Sequence, residues 1–223
     1  MNDNLLTLIA TSLHEAIADK DKPGFKDNQA RSSHFVSRLA TNLGRSNLTP
    51  GCDLKVISVD EHGNKSSGEW LLDIALVRKM TIEEKGFRTD AIIQIDWAVE
   101  SESNSALVEF ATDFSKLAVV RARNYLYLHG FNQGTERAAH QYFERRLRLA
   151  VEILRKADAF PNPFYLAFWP SPEKPAFANT ESSIWDLLAP NINKKYQHLG
   201  QVHLYRLESS GAIPLGAAGL QAT

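Results

Sequence analysis

Two largely apolar runs, residues 69–77 and 91–102, constrain the fold of this chain more than any other feature of its sequence. Apolar runs that do not alternate with polar residues are typical of strands covered on both faces of a sheet. Helices must then lie on both sides of that sheet. The chain has 223 residues, 43% of them hydrophobic and 23% charged, and this composition suits one domain with a sizeable core.

The remaining hydrophobic pattern predicts the elements around these two strands. Apolar residues at helical spacing predict helices over 4–20, 30–43, 135–157 and, more briefly, 184–199. A further helix is expected to begin at Thr112 or Asp113, either of which suits an N-cap, and to run to about Asn124. Shorter strands are predicted over 54–59, 125–129, 164–169 and 202–207.

The order of these elements predicts a mixed α/β sheet flanked by helices. Residues 1–208 are expected to form a single domain. Residues 209–223 are rich in glycine and alanine without useful periodicity, so we expect a flexible C-terminal tail there.

Cysteine usage and hydropathy exclude several classes of protein. Cys52 is the single cysteine, which excludes both a disulfide framework and a cysteine-based zinc site within one chain. No run approaches membrane-spanning length, and the N-terminus lacks a basic leader region, so we expect a soluble, cytoplasmic protein without membrane contact. Glycine-rich phosphate loops are also lacking, which gives nucleotide-cofactor folds no support.

Three acids interrupt the apolar strands. Asp73 lies among aliphatic residues of the first run, and Glu100 and Glu102 share one face of the second because they are two residues apart. A carboxylate buried in such a strand is normally paired, hydrogen-bonded or bound to a metal. Oxygen ligands of this kind suit Mg²⁺, although acids at strand ends or on an exposed face would produce the same pattern.

The basic residues are unevenly distributed. The net charge is -1, yet residues 121–156 hold eight basic and only three acidic side chains. This segregation fits a surface that faces phosphates. A solvated helix face explains it equally well.

The succession of a helix with Glu15, a strand, a strand with Asp73, a strand with Glu100 and Glu102, a helix and a strand resembles the PD-(D/E)xK (restriction-endonuclease-like) nuclease superfamily. The resemblance covers about residues 5–130 and implies an uncharacterised member with an α-β-β-β-α-β core. It implies that Asp73 and Glu100 bind the metal and that Glu15 assists them.

The sequence departs from the family's pattern at two positions. Leu72 stands where a proline usually precedes the aspartate, and Glu102 stands where a lysine is usual. Some family members with glutamate at that position are active, so Glu102 itself could take the lysine's role. Alternatively Lys116, in a segment Asp113–Leu117 similar to that of uncharacterised members, could reach back to the strand. A solvated Lys116 paired with Asp113 at i,i+3 is the other interpretation.

The resemblance implies an enzyme, a Mg²⁺- or Mn²⁺-dependent endonuclease that hydrolyses phosphodiester bonds of DNA and works as a homodimer. Catalysis would involve Asp73, Glu100, Glu102, Lys116 and Glu15. Phosphate contacts would come from arginines of the basic segment, namely Arg121, Arg123, Arg145 and Arg148. The main alternative is a catalytically inactive relative that serves as a binding or assembly module. A generic α/β protein would be indicated if Asp73 and Glu100 lay on opposite faces of the sheet.

Overall fold

The computed structural model describes residues 2–25, 27–46, 54–58, 72–160, 162–175, 183–188 and 194–220. The first residues of the strand predicted over 69–77 therefore lie outside the described residues. Within the described part, no helix is both long and apolar enough to cross a membrane.

A mixed sheet of seven strands forms the centre of the molecule, and its strands lie side by side in chain order. They are β1 (Leu54–Ser58), β2 (Ile74–Glu84), β3 (Phe87–Glu102), β4 (Asn124–Phe131), β5 (Phe164–Pro170), β6 (Gln201–Glu208) and β7 (Gly211–Gly219). The pairs β3–β4 and β4–β5 are parallel, and all the others are antiparallel. Each parallel connection contains a helix, as a crossover requires.

Two N-terminal helices cover one face of the sheet. They are α1 (Asn2–Ala18) and α2 (Asn28–Arg45). Asp27 is the N-cap of α2, because its side chain accepts the N–H of Ala30 at 2.7 Å. Alternate residues of the central strands, Trp97, Val99, Leu126 and Leu128 among them, pack with these helices in one buried core.

Two crossover helices cover the opposite face. They are α3 (Leu107–Val119), between β3 and β4, and α4 (Glu136–Lys156), between β4 and β5. The intervening strand residues, such as Ala98, Tyr127 and Phe168, form a second core with them. The predicted mixed α/β sheet flanked by helices is therefore confirmed.

The structure corrects the predicted limits of α3. It begins after Ala106, because the Asn104 side chain accepts the N–H of Ala106 at 2.8 Å and so replaces a conventional N-cap. Thr112 lies inside the helix, where its hydroxyl donates to the carbonyl of Val108. The helix ends at Val119, and Asn124 already belongs to β4.

The C-terminal segment and the β2–β3 connection also differ from expectation. The predicted tail over 209–223 contains β7, which pairs along the whole of β6, and Leu215 and Ala218 pack against the core. Strands β2 and β3 extend into a long hairpin where no strand was predicted for 78–90. The helix predicted over 184–199 is described as α5 (Ile184–Leu187) and a 3₁₀ helix, Lys194–Gly200.

Candidate active site

The structure brings Asp73 and Glu100 together at one end of the sheet. Asp73 immediately precedes β2, and Glu100 is near the end of β3. Ile74, the residue after Asp73, pairs with Val99, the residue before Glu100, so the two acids lie at the same end of these strands. The Asp73 Oδ2 atom accepts the backbone N–H of Ser101 at 2.8 Å, which fixes the carboxylate beside the strand. Its charge contributes to the raised pKa of Glu100.

Glu100 is the most perturbed acid of the site. Its side chain is 2% exposed, and burial first, then the charge of Asp73, raises its pKa to about 8. Lys116 acts in the opposite direction, with its Nζ 3.3 Å from Glu100 Oε2. The other oxygen, Oε1, is buried without a hydrogen-bond partner among the described residues. A buried carboxylate oxygen without a donor is costly, and such atoms concentrate at functional sites.

Lys116 contacts two carboxylates rather than one. From the last turn of α3 its Nζ lies 2.7 Å from Asp113 Oδ1 as well as 3.3 Å from Glu100 Oε2. Burial lowers its pKa, but the bonds to Asp113 and Glu100 outweigh burial and raise it. The reach back to β3 and the i,i+3 pair with Asp113 are therefore both present.

Glu102 belongs to a second group of acids with Glu109 and Asp113 of α3. One carboxylate oxygen from each lies within 4.8 Å of the others, close enough to hold a metal ion. Burial, and then a hydrogen bond with Asp113, raise the pKa of Glu102 to about 7, although the backbone N–H of Asn104 acts in the opposite direction. Two carboxyl groups that share a proton in this way cannot both ionise cheaply. Glu102 therefore changes charge near neutral pH.

A cavity of about 470 Å³ opens beside these acids. Asp73, Ser101 and Glu102 line one side, and residues of the first turns of α2, such as Ser32, line the other. Glu173, from the segment after β5, completes the wall, and burial raises its pKa. The cavity thus lies between carboxylates at the strand ends and neutral polar side chains at the N-terminus of α2.

A buried basic network supports the loop that follows Glu102. Arg146 of α4 is 4% exposed; its Nε donates to His129 Nε2 at 2.8 Å, and its Nη2 donates to the carbonyl of Ser105. Its guanidinium also stacks 3.3 Å from the ring centre of Tyr142. Burial lowers the pKa of His129 well below its usual value, which keeps the ring neutral as the acceptor of the Arg146 bond. This network ties α4 to the β3–α3 loop.

Other residues predicted for the site lie elsewhere. Glu15 of α1 accepts the side-chain N–H of Asn42 at 3.1 Å, between α1 and α2, and does not line the cavity. Arg121 and Arg123 precede β4, whose first residue pairs with Trp97, at the opposite end of the paired β3–β4 segment from Glu102. Arg123 Nε lies 3.8 Å from Asp96 Oδ1, and Glu102 is six positions further along the strand than Asp96, roughly 20 Å away.

Arg145 and Arg148 are both exposed on α4. Arg145 adjoins Arg146, which reaches the loop after Glu102, whereas Arg148 faces a groove between α4 and the β6–β7 turn. The four arginines therefore do not form one patch beside the acids.

Several residues of this region were not predicted. Glu109 and Asp113 could have been found, because their i,i+4 spacing on one face of a helix that directly follows Glu102 brings their carboxylates together. No local pattern indicates Glu173 or Arg146, since only the tertiary structure brings β5 and α4 to the end of β3.

Comparisons with protein-family models, with curated proteins and with solved structures find no match for this chain.

Proposed function

We propose that this protein is a metal-dependent nuclease of the PD-(D/E)xK type that hydrolyses phosphodiester bonds of DNA. The observation that carries the proposal is that Asp73 and Glu100 lie at adjoining strand ends, with the Nζ of Lys116 from α3 3.3 Å from Glu100 Oε2. The element order helix, three strands, helix, strand over α1 to β4 agrees with the restriction-endonuclease-like core. The additional helix α2 stands between α1 and β1.

The donor set of Asp73 and Glu100 fits a divalent cation. Both ligands are carboxylates, as Mg²⁺ and Mn²⁺ prefer, and Glu100 Oε1 has no donor to satisfy it among the described residues. Ionising Glu100 next to Asp73 in a buried position is costly, and a cation held by both would offset that cost. A cation there, when bound, would polarise the phosphodiester and acidify a water molecule.

Glu102 is the candidate general base for the attacking water. It lines the cavity, and its pKa of about 7 allows it to accept a proton at neutral pH. Lys116 has a different role, because its ammonium holds Glu100 and Asp113 and places positive charge near the developing phosphorane. In this assignment two residues take the roles of the lysine that is usual in the family. Glu102 accepts the proton of the water, and Lys116 supplies the positive charge.

For the nucleic acid, Arg145 is the best placed of the four arginines, and Arg148 would extend the contact along α4. Arg121 and Arg123 would contact only DNA that continues to the start of β4, opposite Trp97. Glu15 would act indirectly, through the position of α2.

One observation favours a second candidate, a catalytically inactive module of the same fold. The Lys116 ammonium already lies between Glu100 and Asp113, at 3.3 and 2.7 Å, and so neutralises part of the charge that a cation would. A module that binds partners without metal would retain this ion-pair arrangement.

Cleavage of DNA separates these candidates. Supercoiled plasmid and circular single-stranded DNA are incubated with the protein in Mg²⁺, in Mn²⁺ and in EDTA. We expect metal-dependent cleavage that Asp73→Asn and Glu100→Gln each lower at least ~100-fold, while Glu152→Gln, at an exposed position of α4, retains full activity.

Binding of the metal is followed separately by thermal unfolding. Mg²⁺ should raise the melting temperature of the wild type and not that of Asp73→Asn. If no DNA is cut and Mg²⁺ leaves the melting temperature unchanged, the nuclease proposal is wrong and the inactive module is favoured.

A further inference from the structure

The segment after β5 brings one further carboxyl group to the cavity beside the candidate active site. Glu173 lies three residues beyond the end of β5, and it lines this cavity together with Asp73 and Glu102. The resemblance to the nuclease superfamily covers about residues 5–130, so it gives Glu173 no role. No step of the reaction outlined above uses this residue either.

The backbone of Glu173 is held in place on both sides. Its N–H donates to Ser171 Oγ at 3.2 Å, and the same hydroxyl donates to the carbonyl of Ser103, in the loop after β3, at 3.2 Å. The carbonyl of Glu173 accepts the N–H of Ile184 at 3.1 Å. The position of Glu173 is therefore fixed relative to the loop that follows Glu102.

A glycine allows the loops after β3 and β5 to meet. Gly130 lies on β4, which runs between β3 and β5 and parallel to both. A Cβ at this position would lie 2.8 Å from the backbone oxygen of Ser103 and 3.0 Å from Ser171 Cβ. The two loops thus touch across the end of β4. Because neighbouring strands are about 4.8 Å apart, the ends of β3 and β5 are roughly 10 Å apart.

The side chain of Glu173 has no hydrogen-bond or ion-pair partner within the part of the chain that the structure describes. Burial raises the pKa of this carboxyl group, and no basic side chain there lowers it. Glu173 also stands outside the group of close carboxylates formed by Glu102, Glu109 and Asp113. A carboxyl group in such surroundings keeps its proton to a higher pH than an ordinary glutamate and can donate it.

We propose that Glu173 is the general acid of the reaction and protonates the leaving oxygen of the phosphodiester. This role rests on the nuclease function proposed above. The oxygen of the attacking water bonds to phosphorus, and the bond between phosphorus and the leaving oxygen breaks with its electron pair. The proton of Glu173 passes to that oxygen, which becomes a hydroxyl, while Glu102 takes a proton from the water. Exchange of one proton with solvent at each carboxyl group then restores the site.

The placement of the two acids suits an in-line displacement. The attacking and leaving oxygens lie on opposite sides of phosphorus, so a base and an acid must stand on opposite sides of the phosphate. Glu102 is at the end of β3 and Glu173 follows β5, two strands away. Carboxyl pairs that flank a reacting bond and a water molecule in glycosidases are roughly 6.5–9.5 Å apart, which is comparable with this strand spacing.

Two DNA substrates distinguish proton donation from any other role of Glu173. One has an ordinary phosphodiester at the cleaved bond, and the other has sulfur in place of the leaving oxygen, which is identified from the ends of the products. A thiol has a pKa of about 8.5, so a thiolate leaves without the proton that an alkoxide needs. In Mg²⁺, Glu173→Gln should slow single-turnover cleavage of ordinary DNA ~100-fold and that of the sulfur substrate less than ~3-fold.

Two further variants serve as controls. Glu102→Gln should slow cleavage of both substrates to the same extent, because both need the attacking water. Glu152→Gln, at an exposed position of α4, should cut both at the rate of the wild type. Each preparation is tested on both substrates, so the ratio of the two rates does not depend on how much of a variant is folded.

The outcomes separate this proposal from the nuclease function. If Glu173→Gln slows both substrates alike, or slows neither, Glu173 is not the general acid, and the nuclease function stands without it. If the wild type cuts no DNA, the nuclease function fails and the role of Glu173 fails with it.

Discussion

Glu100 should make the stability of this protein depend on pH in the direction opposite to that of an ordinary paired carboxylate. Burial and the neighbouring Asp73 raise its pKa from 4.5 to about 8, so the folded protein holds a proton that the unfolded chain releases. Between about pH 4.5 and pH 8 the free energy of unfolding therefore falls as pH rises. The substitution Glu100→Gln keeps the shape of the side chain and removes the titration.

The size of the effect follows from the pKa shift. Each pKa unit corresponds to about 1.36 kcal/mol, so the shift of Glu100 corresponds to a loss on the order of 4 kcal/mol between pH 4.5 and pH 8. The group is 2% exposed, so solvent screening reduces this figure little. Glu102, whose pKa is raised to about 7, adds a slope of the same sign that remains in the variant.

Urea unfolding in EDTA at half-unit steps from about pH 4.5 to pH 9 measures both contributions. We expect Glu100→Gln to match the wild type near pH 4.5 and to be more stable than it at pH 8 by several kcal/mol. Glu84→Gln, at an exposed position of the hairpin, is the control for loss of a carboxylate. If the wild type and Glu100→Gln lose stability in parallel across this range, Glu100 does not titrate as the geometry requires.

The buried arginine and a close glycine contact give two further predictions. Arg146→Met should lower the free energy of unfolding by about 1–3 kcal/mol, because the Ser105 carbonyl loses its Arg146 donor and His129 Nε2 keeps only the Tyr142 hydroxyl, 2.8 Å away. Urea unfolding should show a change below about 0.5 kcal/mol for Arg145→Met at the exposed neighbouring position. Gly130→Ala should cost about 1–3 kcal/mol, since the new Cβ would lie 2.8 Å from the backbone oxygen of Ser103. If Gly130→Ala has the same melting temperature as the wild type, the loop after β3 moves freely enough to accommodate the added Cβ.

The fold class could be predicted from local patterns because each pattern buries its apolar side chains in only one kind of structure. The apolar run 91–102 is buried on both faces over residues 96–100, although Ile93 before them is 58% exposed. An apolar stripe at helical spacing, as in α2, faces a core. The sheet order and the two crossover helices then follow from the chain order.

The segments that the sequence did not indicate are those whose partners lie far along the chain. The strand β7 has little hydrophobic periodicity, and it forms because β6 offers an unpaired edge to it. The start of α3 was missed because Asn104, two residues before Ala106, acts in place of a helix cap.

For the candidate site, the sequence by itself determined the residue types and their approximate level in the sheet. The spacing of Glu100 and Glu102 fixes their common face, since side chains alternate along a strand. Only the tertiary structure decided which groups surround each acid. Asp73 and Lys116 meet Glu100 through strand register and helix packing, and their charges, together with burial, set its pKa. Burial and electrostatic neighbours depend on contacts between distant segments, so no local pattern contains them.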